Sequence, residues 1–419
     1  MRVKTLILSR VQGFFGSRVF GVICRVSGVV LICLGIIRMF SLATIPSFRL
    51  IEIGVAAIVF PSLPVSKGSF KILRDGRFLW VIVAASFIFK VVWEIIFQSP
   101  TYGSNPYYLS TIEKFDADPS LLLRSWRPVP FFLMLALYRT GLSFTYILWF
   151  LIPVFSALTI VPFYFLVKNL SDVETASLAS LFLAFAPLQM YMLQDILYEN
   201  AIGNFFLILA LYFCFNEKGK FPVRSVISAI ALFLSHILPF VIFIASLIVY
   251  CLTNRWTGRT RRILLILSAT TVFFVAALIF GSWGLLATIT KTFLSPRFNS
   301  VEVMLAEMYS LRHVFIPSLT LSVAAFSLVF AKRSSGRGGF GLMACMLAGL
   351  ALLSLPLVLK ADYSKFWWFV RLWFHVEFPI AFYAARTGLQ SVRGRYAIVV
   401  VFLLVLTDSL TIVSRYWYG

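Results

Sequence analysis

The residues of this chain best suited to chemistry are its few acids. Asp116 and Asp118 stand one residue apart in FDADPS, a spacing with which paired carboxylates can share a divalent cation, and Asp195 is a further oxygen ligand for such an ion. Asp195 and Glu199 are four residues apart, so a helix that starts early carries both on one face. Any of these four carboxylates can also act as a general base toward an attacking hydroxyl. Quieter readings stand beside these. Asp118-Pro119-Ser120 is good turn or helix-start chemistry, and Glu199 is the kind of acid that favours a helix N-terminus. Glu94 is an ionisable group inside an apolar run, a functional candidate by its cost alone, for which Lys90 one turn earlier supplies the bland account of a pairing.

The cations suited to an anionic ligand are Arg124, Arg127, Lys291, Arg297, Arg312, Lys360, Lys365 and Arg371. Arg371 is set apart by the largely apolar residues that follow it, and an arginine grips phosphate through a two-pronged fork that lysine lacks. His236 lies in an apolar context and reads either as a phosphate ligand or as a satisfied packing residue. Glu377 and Asp408, in late apolar runs, read equally well as internal pairing residues. Cys24, Cys33, Cys214, Cys251 and Cys345 form no CxxC pair and have no histidine at ligand spacing, which leaves them as small apolar packing groups.

The elements that must position these groups follow from composition. Of 419 residues, 60% are hydrophobic and 13% charged, against roughly 45–50% and about 25% in a soluble domain. Apolar runs of the length needed to cross about 30 Å of hydrocarbon recur along the chain. Candidate spans are 26 to 46, 50 to 65, 79 to 98, 144 to 167, 174 to 191, 199 to 215, 225 to 236, 238 to 253, 263 to 283, 313 to 331, 340 to 358, 369 to 388 and 397 to 415. The seventh is too short to cross alone. It either continues into the eighth around His236 and Pro239, or the two are half-helices buried against neighbours.

The net charge of +21 is scattered in short loops rather than gathered on one solvated face, which argues against a nucleic-acid partner. Alternating the spans from a cytoplasmic, uncleaved N-terminus places 23 of the 37 Lys and Arg residues on one side, while Glu113, Asp116, Asp118, Asp195, Glu199, Glu302, Glu307 and Asp362 fall on the other. The expected architecture is an all-α, multi-pass membrane protein of about 13 spans, in the plasma membrane, with its C-terminus outside. Residues 1–78 form a basic segment and a transmembrane hairpin, 79–300 a transmembrane core, and 301–419 the C-terminal helices. The core contains the long outer loop 99–143, where Tyr107 to Phe115 and Pro128 to Leu137 read as short helices lying in the interface.

Four segments, in this order, resemble the GT-C superfamily of membrane glycosyltransferases. They are Asn105-Pro106-Tyr107-Tyr108 with Arg127-Pro128-Val129-Pro130 in the outer loop; AFAPLQMYMLQDILYENAIGNFFLILALYF at 184–213; LSHILPF at 234–240; and FVRLWFHVEFPIAFYAARTGL at 369–389. The resemblance covers residues 79 to about 390. It implies a GT-C-like bundle with juxtamembrane helices, a polyprenyl-phosphate-linked sugar as donor, and a glycan, lipid or protein acceptor. The reaction it implies is an inverting displacement at the outer face, with Asp116, Asp118, Asp195 or Glu199 as catalytic carboxylates and Arg124, Arg127, Arg371, His236, Lys291 and Arg297 toward the donor phosphate. A divalent cation held by Asp116, Asp118 and Asp195 is compatible with it. The chain departs from the family where the loop's usual acid is replaced by Asn105, since an amide cannot act as a general base. Without the large soluble C-terminal domain of oligosaccharyltransferase subunits, transfer of a whole oligosaccharide to asparagine is not expected. A GT-C-like assembly or binding protein without catalysis is the first alternative. A lipid or solute transporter is the second, although no matching halves are evident in the chain.

Overall fold

The structure is a computed structural model that describes residues 71–97, 105–125, 127–186, 198–216, 222–253, 258–280, 337–359 and 375–390, with the single positions 26, 29, 30, 33, 189 and 372. Among the described residues the chain is wholly helical. After a 3-10 turn at Lys71–Arg74, the helices are α1 (Arg77–Phe97), α2 (Asn105–Ala117), α3 (Ser120–Arg124), α4 (Pro128–Arg139), α5 (Phe144–Leu170) and α6 (Val173–Ala184). They continue with α7 (Tyr198–Asn216), α8 (Val223–Ser235), α9 (Ile237–Thr253), α10 (Gly258–Phe280), α11 (Arg337–Leu359) and α12 (Glu377–Gln390).

Local chemistry explains several of the boundaries. Pro128 opens α4 at a position where its missing N–H costs nothing, and Gly141, at φ 85°, turns the chain toward α5 in a conformation a side chain would resist. Ser143 caps α5 by accepting from the Tyr146 N–H, and Asp172 caps α6 by accepting from the Thr175 N–H at 2.7 Å. Among the described residues two helices, α5 and α7, are long and apolar enough to cross a membrane; at 1.5 Å per residue they extend roughly 40 Å and 28 Å. The other apolar helices in the same set are shorter: Pro128–Arg139, Val173–Ala184, Val223–Ser235, Ile237–Thr253 and the segment Gly341–Leu353. The expected spans at 50 to 65, 313 to 331 and 397 to 415, and nearly all of 26 to 46, lie outside the described residues.

The seventh and eighth apolar runs do not fuse. Helix α8 stops at Ser235 and α9 restarts at Ile237, with His236 extended between them at φ −162°, ψ 126°. The imidazole Nδ1 accepts the Leu238 N–H at 3.1 Å, so His236 caps the new helix. This joint presses on α7 at Gly203, where a methyl group would come 2.9 Å from Pro239 Cγ and 3.2 Å from His236 Cβ.

Two apolar clusters divide the interior. The larger joins α1 and α5–α12 through residues such as Phe163, Phe182, Ile208, Leu232, Phe243, Met346 and Phe382. The smaller gathers Tyr108, Ile112 and Phe115 of α2, Leu122 of α3, Phe131 and Met134 of α4, Ile147 and Leu151 of α5, and Tyr198 and Ile202 of α7. The short helices α2–α4 thus form a cap seated on the N-terminal halves of α5 and α7.

Helix α1 is inside out. Its buried face carries Ser86, Lys90 and Glu94 at one-turn intervals, while Trp80, Val81, Ile88, Val92 and Ile95 are exposed.

Candidate functional site

Beneath the cap, three elements meet at one carboxylate. Glu199, in the first turn of α7, forms an ion pair through Oε1 with the guanidinium of Arg127, the residue that precedes α4. Its Oε2 accepts a hydrogen bond from the Tyr108 hydroxyl of α2 at 2.7 Å. The junction is shut away from solvent: the Glu199 side chain is 2% exposed and that of Arg127 11%. The Phe131 ring lies 6.0 Å from the guanidinium carbon, and the Ser125 hydroxyl accepts the Arg127 backbone N–H at 3.2 Å, so the arginine is held at both its root and its flank.

Aromatic rings line the junction. Tyr108 meets Tyr198 edge-on with centroids 5.0 Å apart, and Phe131 packs against both Tyr108 and Phe115. Tyr198 in turn lies within electrostatic reach of Glu94. Glu94 is buried, and its Oε1 has no hydrogen-bond partner among the described residues. Asn200, next in sequence to Glu199, is buried with both side-chain polar atoms in the same condition. Buried polar atoms are nearly always satisfied in a folded protein, and the start of α7 is one place where the described residues leave such atoms open.

One turn back along α1, Lys90 is enclosed. Its ammonium donates to Ser86 Oγ at 3.0 Å and to Ser156 Oγ at 2.7 Å. The two hydroxyls pass the chain on, Ser86 to the carbonyl of Ala184 at the end of α6 and Ser156 to Gln189 Oε1. The lysine's hydrogen bonds therefore go to serines rather than to Glu94, and the local pairing suggested by their spacing is not formed.

The sequence candidates separate into groups. Glu199 and Arg127 are brought together. Asp116 and Asp118 are not part of that junction: Asp116 receives the Arg139 Nε at 2.7 Å on an exposed surface, and Asp118 accepts the Ser120 backbone N–H at 3.0 Å, which favours the turn reading of Asp118-Pro119-Ser120. Among the described residues no three His, Cys, Asp or Glu side chains are grouped to hold a metal ion. His236 is a buried helix cap packed on α7. The side chains of Asn105 and Arg124, together with Asp195, Lys291, Arg297, Arg312, Lys360, Lys365, Arg371 and Asp408, lie outside the described residues. In the sequence Tyr108 stands out only as part of Asn105-Pro106-Tyr107-Tyr108, and Asn200 carries no signal, because an asparagine next to an acid at a helix start reads as ordinary helix-end chemistry.

No protein-family model matches the chain, and no curated protein matches it in sequence.

Proposed function

We propose that the protein is a multi-pass membrane glycosyltransferase of GT-C type, in which a sugar moves from a polyprenyl-phosphate-linked donor to an acceptor hydroxyl at the outer face of the plasma membrane. Its N-terminus lies in the cytoplasm, its C-terminus outside, and the cap α2–α4 lies over the outer ends of the helices. The inside-out face of α1 supports a bilayer setting. A helix that buries Ser86, Lys90 and Glu94 while exposing Trp80, Ile88 and Ile95 is ill suited to water and well suited to lipid.

The observation that carries the reading is the buried junction of Glu199, Arg127 and Tyr108, together with Glu94, which lies within electrostatic reach of Tyr198 and whose Oε1 has no hydrogen-bond partner among the described residues. An inverting transfer needs a carboxylate able to take a proton and a cation for the departing phosphate. Glu199 has both oxygens engaged and positions Arg127; Glu94 has one oxygen open and serves as the base. The acceptor hydroxyl gives its proton to Glu94, and its oxygen forms a bond to the anomeric carbon. The bond from that carbon to the phosphate oxygen breaks, and its electron pair leaves on polyprenyl phosphate beside Arg127.

The test is transfer of labelled hexose from polyprenyl-phosphate donors by the purified protein in proteoliposomes. Glu94→Gln removes the proton acceptor at nearly constant shape and is expected to slow transfer roughly a hundredfold or more. Full activity of that variant removes Glu94 as base, and no transfer from any such donor overturns the enzyme reading. Asn105, standing where the family's loop has its acid, favours a second reading, a GT-C-like binding protein without catalysis. Activity that appears only in Asn105→Asp would select it.

A further inference from the structure

We infer that Arg127 is a partner-exchange site: in the empty protein its guanidinium is held by Glu199, and a phosphate group of a bound ligand takes the place of Glu199. The ligand chemistry rests on the function proposed above, while the exchange stands on the geometry alone. A buried guanidinium is costly without an anion, because removing a charged partner leaves a charge poorly compensated in a poor solvent. Replacing one anion by another keeps the guanidinium compensated, and a phosphate offers the arginine fork the same two-oxygen edge that a carboxylate does.

Three features make this pair exchangeable rather than fixed. Arg127 is held from below by Phe131 and at its backbone by Ser125, so the guanidinium keeps its place when its partner leaves. Glu199 is held independently by the Tyr108 hydroxyl on its other oxygen, which offsets part of what it loses when the arginine turns to another anion. The third feature is the position of the charge. Arg127 precedes the first turn of α4, the positive end of that helix, where a cation is electrostatically disfavoured and an added anion is welcome. Pro128 and Pro130 remove two of the N–H groups that would otherwise bind an anion there, which leaves the side chain as the principal donor. Exchange leaves Glu199 Oε1 open toward a hydroxyl of the incoming ligand, which couples donor arrival to readiness of the site.

The test measures phosphate binding to the full-length protein in nanodiscs, with inorganic phosphate as one probe and polyprenyl phosphate in phosphatidylcholine as the other. Glu199→Gln removes the internal competitor and is expected to bind phosphate at least about tenfold tighter than the parent. Tyr108→Phe is expected to bind about tenfold more weakly, although Tyr108 does not touch Arg127, because Glu199 then has no partner after the exchange. Arg127→Gln is expected to abolish the site. A gain with both probes supports the exchange for phosphate in general; a gain confined to polyprenyl phosphate supports it with a lipid ligand, and one confined to inorganic phosphate with a soluble ligand. Glu199→Gln binding no tighter than the parent overturns the inference. If that variant fails to give a cooperative melt, Tyr108→Phe decides: unchanged or tighter binding overturns it. A protein that shows the exchange yet transfers no sugar keeps this inference and loses the transferase reading, and active transfer without the Glu199→Gln gain does the reverse.

Discussion

Helix α4 is held at its two ends by the same chemical contact in two different solvents. At its C-terminus Arg139 pairs with Asp116 of α2, with both side chains nearly half exposed, at 49% and 43%. At its N-terminus Arg127 pairs with Glu199 of α7, out of water. The first arrangement is what stability alone favours, since a cation at a helix C-terminus meets the negative end of the dipole and an exposed pair carries no desolvation cost. The second places a cation at the wrong end of the helix and buries two charges, an arrangement that well-packed apolar residues would often match or better. The contrast teaches that a salt bridge marks a site by what it costs, and the costly one follows directly on Tyr198, the ring within electrostatic reach of Glu94.

The largest effect that can break this comparison comes from cutting the buried pair. Arg127→Ala is expected to destabilise the protein by about 3–5 kcal/mol, because Glu199 is left charged with only a tyrosine to satisfy it. A thermal melt in detergent reads this directly. The double variant Arg127→Met with Glu199→Met is expected to recover most of that loss while remaining inactive. Recovery without activity would separate the functional role of the pair from a structural one, whereas failure to recover would make the pair a structural necessity and weaken the argument from cost.

A middle effect belongs to the joint that braces α7 from behind. Gly203→Ala forces a methyl group to within 2.9 Å of Pro239 and is expected to cost about 1–3 kcal/mol, the range for overpacking a close contact. Unlike the arginine variant, it is expected to leave the ion pair intact, so phosphate binding by the folded protein should persist. Loss of binding would mean that the position of α7, and not the charges alone, tunes the junction.

These regions were unequally legible in the sequence. The helical character and the two short helices expected in residues 99–143 follow from apolar runs and turn residues, and the expected segments Tyr107 to Phe115 and Pro128 to Leu137 become Asn105–Ala117 and Pro128–Arg139. The break at His236 was visible as a short run beside Pro239, but the capping role of the imidazole was not, since it depends on one backbone turn. Arg127 and Glu199 each appeared as candidates, yet nothing in a separation of 72 residues pairs them. That pairing arises only when the cap folds onto α7. Local spacing misled in the other direction as well. Lys90 and Glu94 sit at ion-pair distance along a helix, but two serines and the end of α6 claim the lysine first. For Asp116 and Asp118 the spacing alone does not announce the contacts they make, with Arg139 and with the Ser120 backbone N–H.

The smallest expected effect is the sharpest test of the comparison, because it asks whether the exposed pair is as inert as its solvent implies. Asp116→Ala removes a carboxylate that the spacing of the sequence recommended for catalysis. Its contact with Arg139 is screened by water and salt, so stability should fall by under about 1 kcal/mol, and raising the ionic strength should shrink even that difference. Sugar transfer should stay within about twofold of the parent, since such a change corresponds to a few tenths of a kcal/mol in the barrier. A loss of transfer comparable to that of Glu94→Gln would move the chemistry out to the exposed end of α4. The buried junction would then be no more than the clasp that closes the cap.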